Sequence, residues 1–518
     1  MAMLMLASTS FSAKPNIVLF LQDDQDTVLG GWTPMNQTRP LLNDAGVSAE
    51  NWFIHTPVCC PSRAELLSGR YAHNIRMPTP KGGCMHMDTN KVNPNSFASY
   101  LQLNASYNVA WFGKHMNQCP AKPPAGFDCP NCYWFANGGG SDNEPGGYVN
   151  ASFSDYDGGV AHPVDRYHSK AGKYKADTNG EFAGYTTSII ANKSIAWIRK
   201  VAKLGKPFFV AVAAKAPHVP ATPAVWYETG TFIDDLEAPR TRDYNASAED
   251  LAGHHELIAK QPPITTSQAV EIDDLFRNRW RALLSVDDAI AAVHATLVEL
   301  DILKNTYWFT TSDHGYQLGQ HRLPSCKLNV YDHDIRIPTV IVGPGIKPLT
   351  PLVVPCSNVD IGPTILGLAG LDALIYGGNV PMDGRSVAPL IVDLSDASVP
   401  DSTRAHVMKE RAAAGVSLAS AGAEAQVAVT LAAPTPSSEI AAMAAHAATW
   451  RKFHLVECVA HVLALSLSLS LARSLSLFYC LQCCCYSRSN SSSHTRKFLA
   501  HLSLLFMMSP CSAATTCF

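Results

Sequence analysis

Four short, mostly apolar runs constrain this chain more than any other feature: Ile17–Leu21, Val109–Phe112, Phe208–Val212 and Thr306–Thr310. A strand with one wet face alternates apolar and polar residues. A continuous run suits a strand covered on both faces, as in a parallel sheet. Helical patterns lie between the runs. Ser188–Leu204 has apolar residues at helical spacing, and Asp274–Leu303 reads as one long helix or two, with Phe276, Trp280, Leu283, Ile290, Val293 and Leu297 recurring at that period. Strands alternating with helices predict an α/β fold, a doubly wound and mostly parallel sheet flanked by helices.

Each run leads within a few residues to side chains able to do chemistry. Leu21 leads to Asp23 and Asp24, Phe112 to Lys114, Val212 to Lys215 and His218, and Thr310 to Asp313 and His314. In open parallel sheets the functional crevice lies beyond the carboxyl ends of the strands. Segments far apart in sequence are therefore expected to converge on one site.

The residue types suggest what that site holds. Adjacent carboxylates at a strand end repel unless a cation lies between them, and carboxylate oxygens are the ligands of hard cations. Taken alone, Asp23 and Asp24 read rather as a solvated turn. In Thr56–Arg70, Pro61 fits the first turn of a helix and Glu65, Leu66 and Leu67 favour one. Cys59 then stands just before a helix N-terminus, where free N–H groups favour an anion or a thiolate. An isolated Lys114 or Lys327 reads as a surface lysine and His218 as a loop histidine.

Bulk properties exclude some classes. The net charge of -3 gives no basic surplus for nucleic acid. A hydrophobic content of 47% with 16% charged residues is that of a globular chain. Residues 1–13 read as a short secretory signal segment. Sequons at Asn36, Asn104, Asn150, Asn192 and Asn245 fit a glycosylated surface. Cys129-Pro-Asn-Cys132 resembles half a zinc knuckle, but no partner pair follows at finger spacing, so a disulfide or free thiols are expected. Beyond about residue 405 the pattern dissolves into Ala/Ser-rich and Leu-Ser sequence and then a Cys-rich stretch. Serines and Arg473 within Leu463–Leu477 argue against a membrane span. The expected organisation is 1–13 signal, 14–400 catalytic domain and 401–518 low-complexity tail, disordered or aberrant.

With these segments in view, the chain resembles the sulfatase family. Cys59-Cys60-Pro61-Ser62-Arg63 matches its Cys-x-Pro-Ser-Arg signature, Lys14–Asp24 its opening strand and metal pair, and Thr311–His321 its second metal segment. Gly113-Lys114, Pro217-His218 and Lys327 upstream of Tyr331–Pro338 resemble its cationic elements. Arg277–Asp288, Val359–Leu366 and Met382–Ser386 place the resemblance nearest N-acetylglucosamine-6-sulfatases and algal or plant arylsulfatases. Two positions differ: His314 stands where many members have Asn, and Met116 where many arylsulfatases have a His two after the lysine.

The resemblance implies an alkaline-phosphatase-like fold, although the usual small C-terminal antiparallel subdomain is not recognisable after residue 405. It implies a sulfuric ester hydrolase in which Cys59 is oxidised to formylglycine by a formylglycine-generating enzyme, the hydrated aldehyde being the nucleophile. Asp23, Asp24, Cys59, Asp313 and His314 would hold calcium, with magnesium left open. Arg63, Lys114, His218 and Lys327 would complete the catalytic set, His218 protonating the leaving oxygen. The substrate would be a small sulfate ester or sulfated saccharide, and the compartment the secretory pathway: extracellular space, cell wall or a lysosome-like organelle. A phosphodiesterase or phosphonate hydrolase on the same fold, or an inactive product with an aberrant C-terminus, are the alternatives.

Overall fold

The computed structural model describes residues 14–77, 84–117, 119–137, 147–149, 151–162, 175–176, 182–373 and 381–413. Ten strands form the main sheet: β1 (Asn16–Gln22), β2 (Val47–Ala49), β3 (Asn108–Lys114), β4 (Tyr133–Asn137), β5 (Ser154–Asp157), β6 (Val160–Ala161), β7 (Phe208–Ala213), β8 (Thr306–Ser312), β9 (Thr339–Val342) and β10 (Thr350–Leu352). Their spatial order is β10-β2-β9-β8-β1-β7-β3-β4-β5-β6.

The four apolar runs become four consecutive neighbours, β8-β1-β7-β3, all parallel, with β4 extending the parallel block. Every residue of β1, β3, β7 and β8 is buried, which explains the continuous apolar runs. Parallel pairing brings Leu21 beside Thr311, Val212 beside Phe20, and Phe112 beside Val212. The carboxyl ends of all four therefore share one edge of the layer. Within this sheet antiparallel pairing lies toward the margins, at β9 and β2 on one side and β5 and β6 on the other.

Helices α1 (Cys59–Ser68), α2 (Phe97–Ala105), α3 (Thr186–Val201), α4 (Thr266–Glu299), α5 (Ile361–Leu368) and α6 (Asp401–Ala413) accompany the sheet. The stretch expected as one helix or two is a single helix of 34 residues. Ile17, Leu19 and Leu21 of β1, Trp111 of β3 and Phe309 of β8 share a core with Leu66, Leu67, Phe97, Leu101 and Ile365 from α1, α2 and α5. Phe20 and Trp308 stack at 5.2 Å on other positions of the same strands, as alternation requires.

The described fold continues through α6, where Thr403, His406 and Val407 are buried. The boundary expected at residue 400 falls just before this helix. Residues 414–518 and the 1–13 segment lie outside the described residues, as does the sequon at Asn150. Asn36, Asn104 and Asn192 are exposed and Asn245 is half-buried. Among the described residues no antiparallel sheet follows residue 357, and no helix is long and apolar enough to cross a membrane.

Two compact units divide the chain. Among the described residues the larger comprises those up to Asp235, Asn278–Tyr316 and Lys327 through α6, and carries the sheet. In the smaller, which includes Leu236–Arg277 and Gln317–Cys326, Arg322 donates to the carbonyls of Ala246 at 2.6 Å and Gln261 at 3.0 Å.

Candidate active site

Helix α1 begins at Cys59, and all ten of its residues are buried although many are polar. Hydrogen bonds make that burial tolerable. Ser62 donates to the carbonyl of Asp313. Asn358 donates to the Ser62 carbonyl at 3.0 Å, and Glu65 accepts from the backbone of Ala72 at 2.9 Å. The helix ends at Gly69, whose φ of +63° suits a residue without Cβ; a Cβ there would meet the Met382 sulfur at 2.7 Å. A Cys60–Cys84 disulfide fastens the first turn, and a second joins Cys129 to Cys132, where the sequence left disulfide or thiols open.

The five residues expected to hold a metal come together. Donor atoms of Asp23, Cys59, Asp313 and His314 lie within 4.8 Å of one another, as do those of Asp23, Asp24, Cys59 and His218. The Cys59 sulfur is 3.3 Å from His314 Nε2 and 3.4 Å from Asp23 Oδ1. His314 Nδ1 is 3.0 Å from the Gly315 carbonyl. A carbonyl can only accept, so Nδ1 carries hydrogen and Nε2 faces the cluster. Asp24 has φ +69°; its N–H donates to Asp313 Oδ1 at 3.0 Å.

Cations surround this cluster. Lys114, at the end of β3, contacts Asp23 Oδ2. Lys327 lies 2.6 Å from Asp24 Oδ1 and 3.5 Å from the Cys59 sulfur. Arg63 donates to Asp313 Oδ2 at 2.8 Å and to the Lys114 carbonyl at 2.7 Å, and its other amino group is 3.7 Å from Asp23. Burial and Asp23 push the Cys59 thiol up, yet Lys114, Lys327 and His314 hold it well below its ordinary value. Burial raises Asp23 and Asp24, but both stay low because Lys114 dominates at the first and Lys327 at the second. Asp313 is raised to about 6 by burial, with Asp23 and Cys59 adding to the shift.

The donor set fits a hard divalent ion. Its oxygens come from three carboxylates, and Asp24 Oδ2 is fully buried without a hydrogen-bond partner. Burial pulls His314 down, yet Asp313, Asp24 and Cys59 raise it to about 9. Lys327 adds to the pull from burial, so the three anionic groups outweigh both.

His218 lies at the mouth, half-buried, on the loop after β7. Its Nδ1–H donates to the Val219 carbonyl at 2.6 Å, and its own carbonyl accepts from the Tyr148 hydroxyl at 2.5 Å. Nε2 is thereby left to face the cluster. Met116 is fully buried in the core. His115 packs edge-on against Trp111 and Trp134 at 5.1 and 4.9 Å. Neither belongs to the cluster.

Two residues of this environment were not among the expected site residues. Lys215 is 4% exposed, with its amine 5.9 Å from the Tyr148 ring centre. Burial, with Lys114 nearby, lowers it to about 8. The sequence signal was its place after β7. Arg279 of α4 donates to the Asp24 carbonyl at 2.6 Å; in sequence it is one of several arginines in a helical stretch, with nothing to single it out.

Comparison with known proteins agrees with this geometry. The model of the Sulfatase family matches residues 15–371. Human N-acetylglucosamine-6-sulfatase is 34% identical over 385 residues, covering 73% of this chain and 64% of that protein. The arylsulfatase of Volvox carteri is 30% identical over 412 residues, covering 73% and 59%. The chain thus spans less than two thirds of the length of these relatives. A protein solved in complex with its substrate D-glucosamine-2-N,6-O-disulfate shares the fold, with a TM-score of 0.50 at 22% identity over 73% of this chain and 80% of that one. The matched span runs from β1 through α5 with Cys59-Cys60-Pro61-Ser62-Arg63 inside it, and on that evidence the chain belongs to the sulfatase family.

Proposed function

We propose that this chain hydrolyses sulfate esters, with residues 14–400 as its catalytic domain. The observation that carries the reading is the buried Cys59 sulfur within 3.5 Å of Asp23, His314 and Lys327. A lone structural thiol would not gather two cation-binding side chains and a lysine.

In this reading Asp23, Asp24, Asp313 and His314 hold a divalent cation, calcium by preference for an oxygen-rich set, and residue 59 is oxidised to formylglycine. Together these groups would supply the nucleophile and a Lewis acid for a sulfate oxygen. The remaining chemistry belongs to the chain's own side chains. Lys114 and Lys327 present ammonium groups beside position 59, where anionic sulfate oxygens need fixed donors. Arg63 fixes Asp313 and the Lys114 carbonyl, and so the orientation of α1. His218, whose Nδ1–H is committed to Val219, offers Nε2 to protonate the departing alcohol oxygen.

Glucosamine 6-sulfate and related sulfated saccharides are the proposed substrate class, by analogy with the human relative. The oxidation of Cys59 requires a formylglycine-generating partner, and with the sequons it points to the secretory pathway.

Peptide mass spectrometry across Thr56–Arg63, on protein from a secretory host, tests this together with hydrolysis of 4-nitrophenyl sulfate and glucosamine 6-sulfate. Conversion at residue 59, with turnover lost in Cys59→Ala, is the expected result. A phosphate or phosphonate ester turned over faster than either sulfate would overturn it, and so would an unmodified thiol in a host that converts other sulfatases.

A further inference from the structure

We propose that Arg279 is a positioning residue that locks the Asp24 side of the cluster to the His218 loop, and so sets cation affinity and proton delivery together. This rests on the function proposed above. Arg279 is 1% exposed and touches none of the reacting groups. Its Nη2 donates to the Asp24 carbonyl at 2.6 Å and lies 3.1 Å from Asp26 Oδ1. Its Nη1 donates to the Pro217 carbonyl at 3.3 Å, one residue before His218. The guanidinium lies over the Tyr316 ring, 4.3 Å from its centre.

These contacts join segments whose relative placement matters. Asp24 and His218 are both within the 4.8 Å cluster, yet they come from loops after different strands. One backbone hydrogen bond, Asp23 N–H to the Ala216 carbonyl at 3.3 Å, also joins the two loops. Asp24 adopts left-handed φ, which an L-residue holds only when its surroundings impose it. The Arg279 bond to its carbonyl helps impose it. Asp26 in turn is fixed by accepting from the N–H groups of Leu29 at 2.9 Å and Gly31 at 3.3 Å. A planar fork with five donors can hold both loops and the carboxylate at once; an ammonium on a flexible stem cannot reproduce that geometry.

The test uses the full chain from a secretory host, with Arg279→Gln, Arg279→Lys and Asp26→Asn. Calcium affinity is read by calorimetry without substrate. Turnover is read on 4-nitrophenyl sulfate, whose phenolate departs without a proton, and on glucosamine 6-sulfate, whose alkoxide needs one. Both Arg279 variants should keep the wild-type circular dichroism and bind calcium about 10- to 100-fold more weakly, as loss of a residue supporting metal ligands does. Both should lose more kcat on the sugar than on the nitrophenyl ester. Asp26→Asn should show the same pattern, smaller.

Calcium affinity within twofold of wild type in a folded Arg279 variant overturns the proposal, as does an equal loss on both esters. Failure of all three variants to fold overturns it too, since the role is then architectural. A wild-type chain that binds calcium but hydrolyses neither ester overturns the proposed reaction and leaves affinity to decide on Arg279. A wild-type chain that binds no calcium overturns both.

Discussion

Asp23, Asp313 and Arg63 sit at zero exposure, with the one guanidinium paired to both carboxylates, whereas His218 stands half-buried at the mouth and is held through its backbone and Nδ1. In the first region each charge is stable only because the others are present. In the second, the Tyr148 bond and the loop backbone persist whatever the side chain at 218 is. Substitutions in the floor should therefore register as lost stability, and substitutions at the rim as lost rate.

The largest expected effect is on the floor. Arg63→Met leaves the buried Asp313 and Asp23 short of a cation and should cost about 3–5 kcal/mol in urea unfolding. A loss under about 1 kcal/mol would break the comparison, because the floor charges would then be independent. Next comes the rim. His218→Gln should lower kcat on glucosamine 6-sulfate by roughly 10²- to 10³-fold, with the melting temperature unchanged. A large fall in melting temperature would place His218 with the floor.

A smaller effect lies just behind the floor. Burial, helped by Arg63, holds the His115 imidazole down at about 3. Below its ordinary value near 6.5 the unfolded chain takes up a proton that the folded chain refuses. The stabilisation is therefore present above about pH 6.5 and lost as pH falls toward 3. Between pH 7 and pH 5 this one residue should cost about 2 kcal/mol. His115→Gln should lose about that much less over the same interval in paired urea titrations; an unchanged pH slope would show that the imidazole takes up its proton as readily in the folded chain as in the unfolded one. The smallest effect serves as the control. Arg199 and Glu299 pair at 2.7 Å but are 48% and 60% exposed, so Glu299→Gln should shift stability by no more than about 0.5 kcal/mol.

The parallel centre of the fold was legible in the sequence because strands covered on both faces must be apolar throughout, and β1, β3, β7 and β8 are. The long helix was legible from its period. The margins were not: β2 and β10 have three residues each, too few for any alternation to stand out. The residues that gather around Cys59 could be picked out where they followed a strand or stood in the Cys59–Arg63 segment. Arg279 was not, because its importance lies in two backbone carbonyls, Asp24 and Pro217, that leave no trace in residue identity. Nor could the Cys60–Cys84 bridge be read from a separation of 24 residues.

The burial of Cys59 also sets a deadline in time. Once the fold closes, its side chain is 2% exposed, too little for another enzyme's active site to engage. Two of the groups that enclose it, His314 and Lys327, follow it in the chain by 255 and 268 residues. At a synthesis rate of about 5–20 residues per second, they emerge roughly 13–50 s after it. Any enzyme that oxidises this thiol thus works against the ribosome, and the fraction of molecules it reaches becomes a ratio of two rates that slower translation or delayed closure would shift upward.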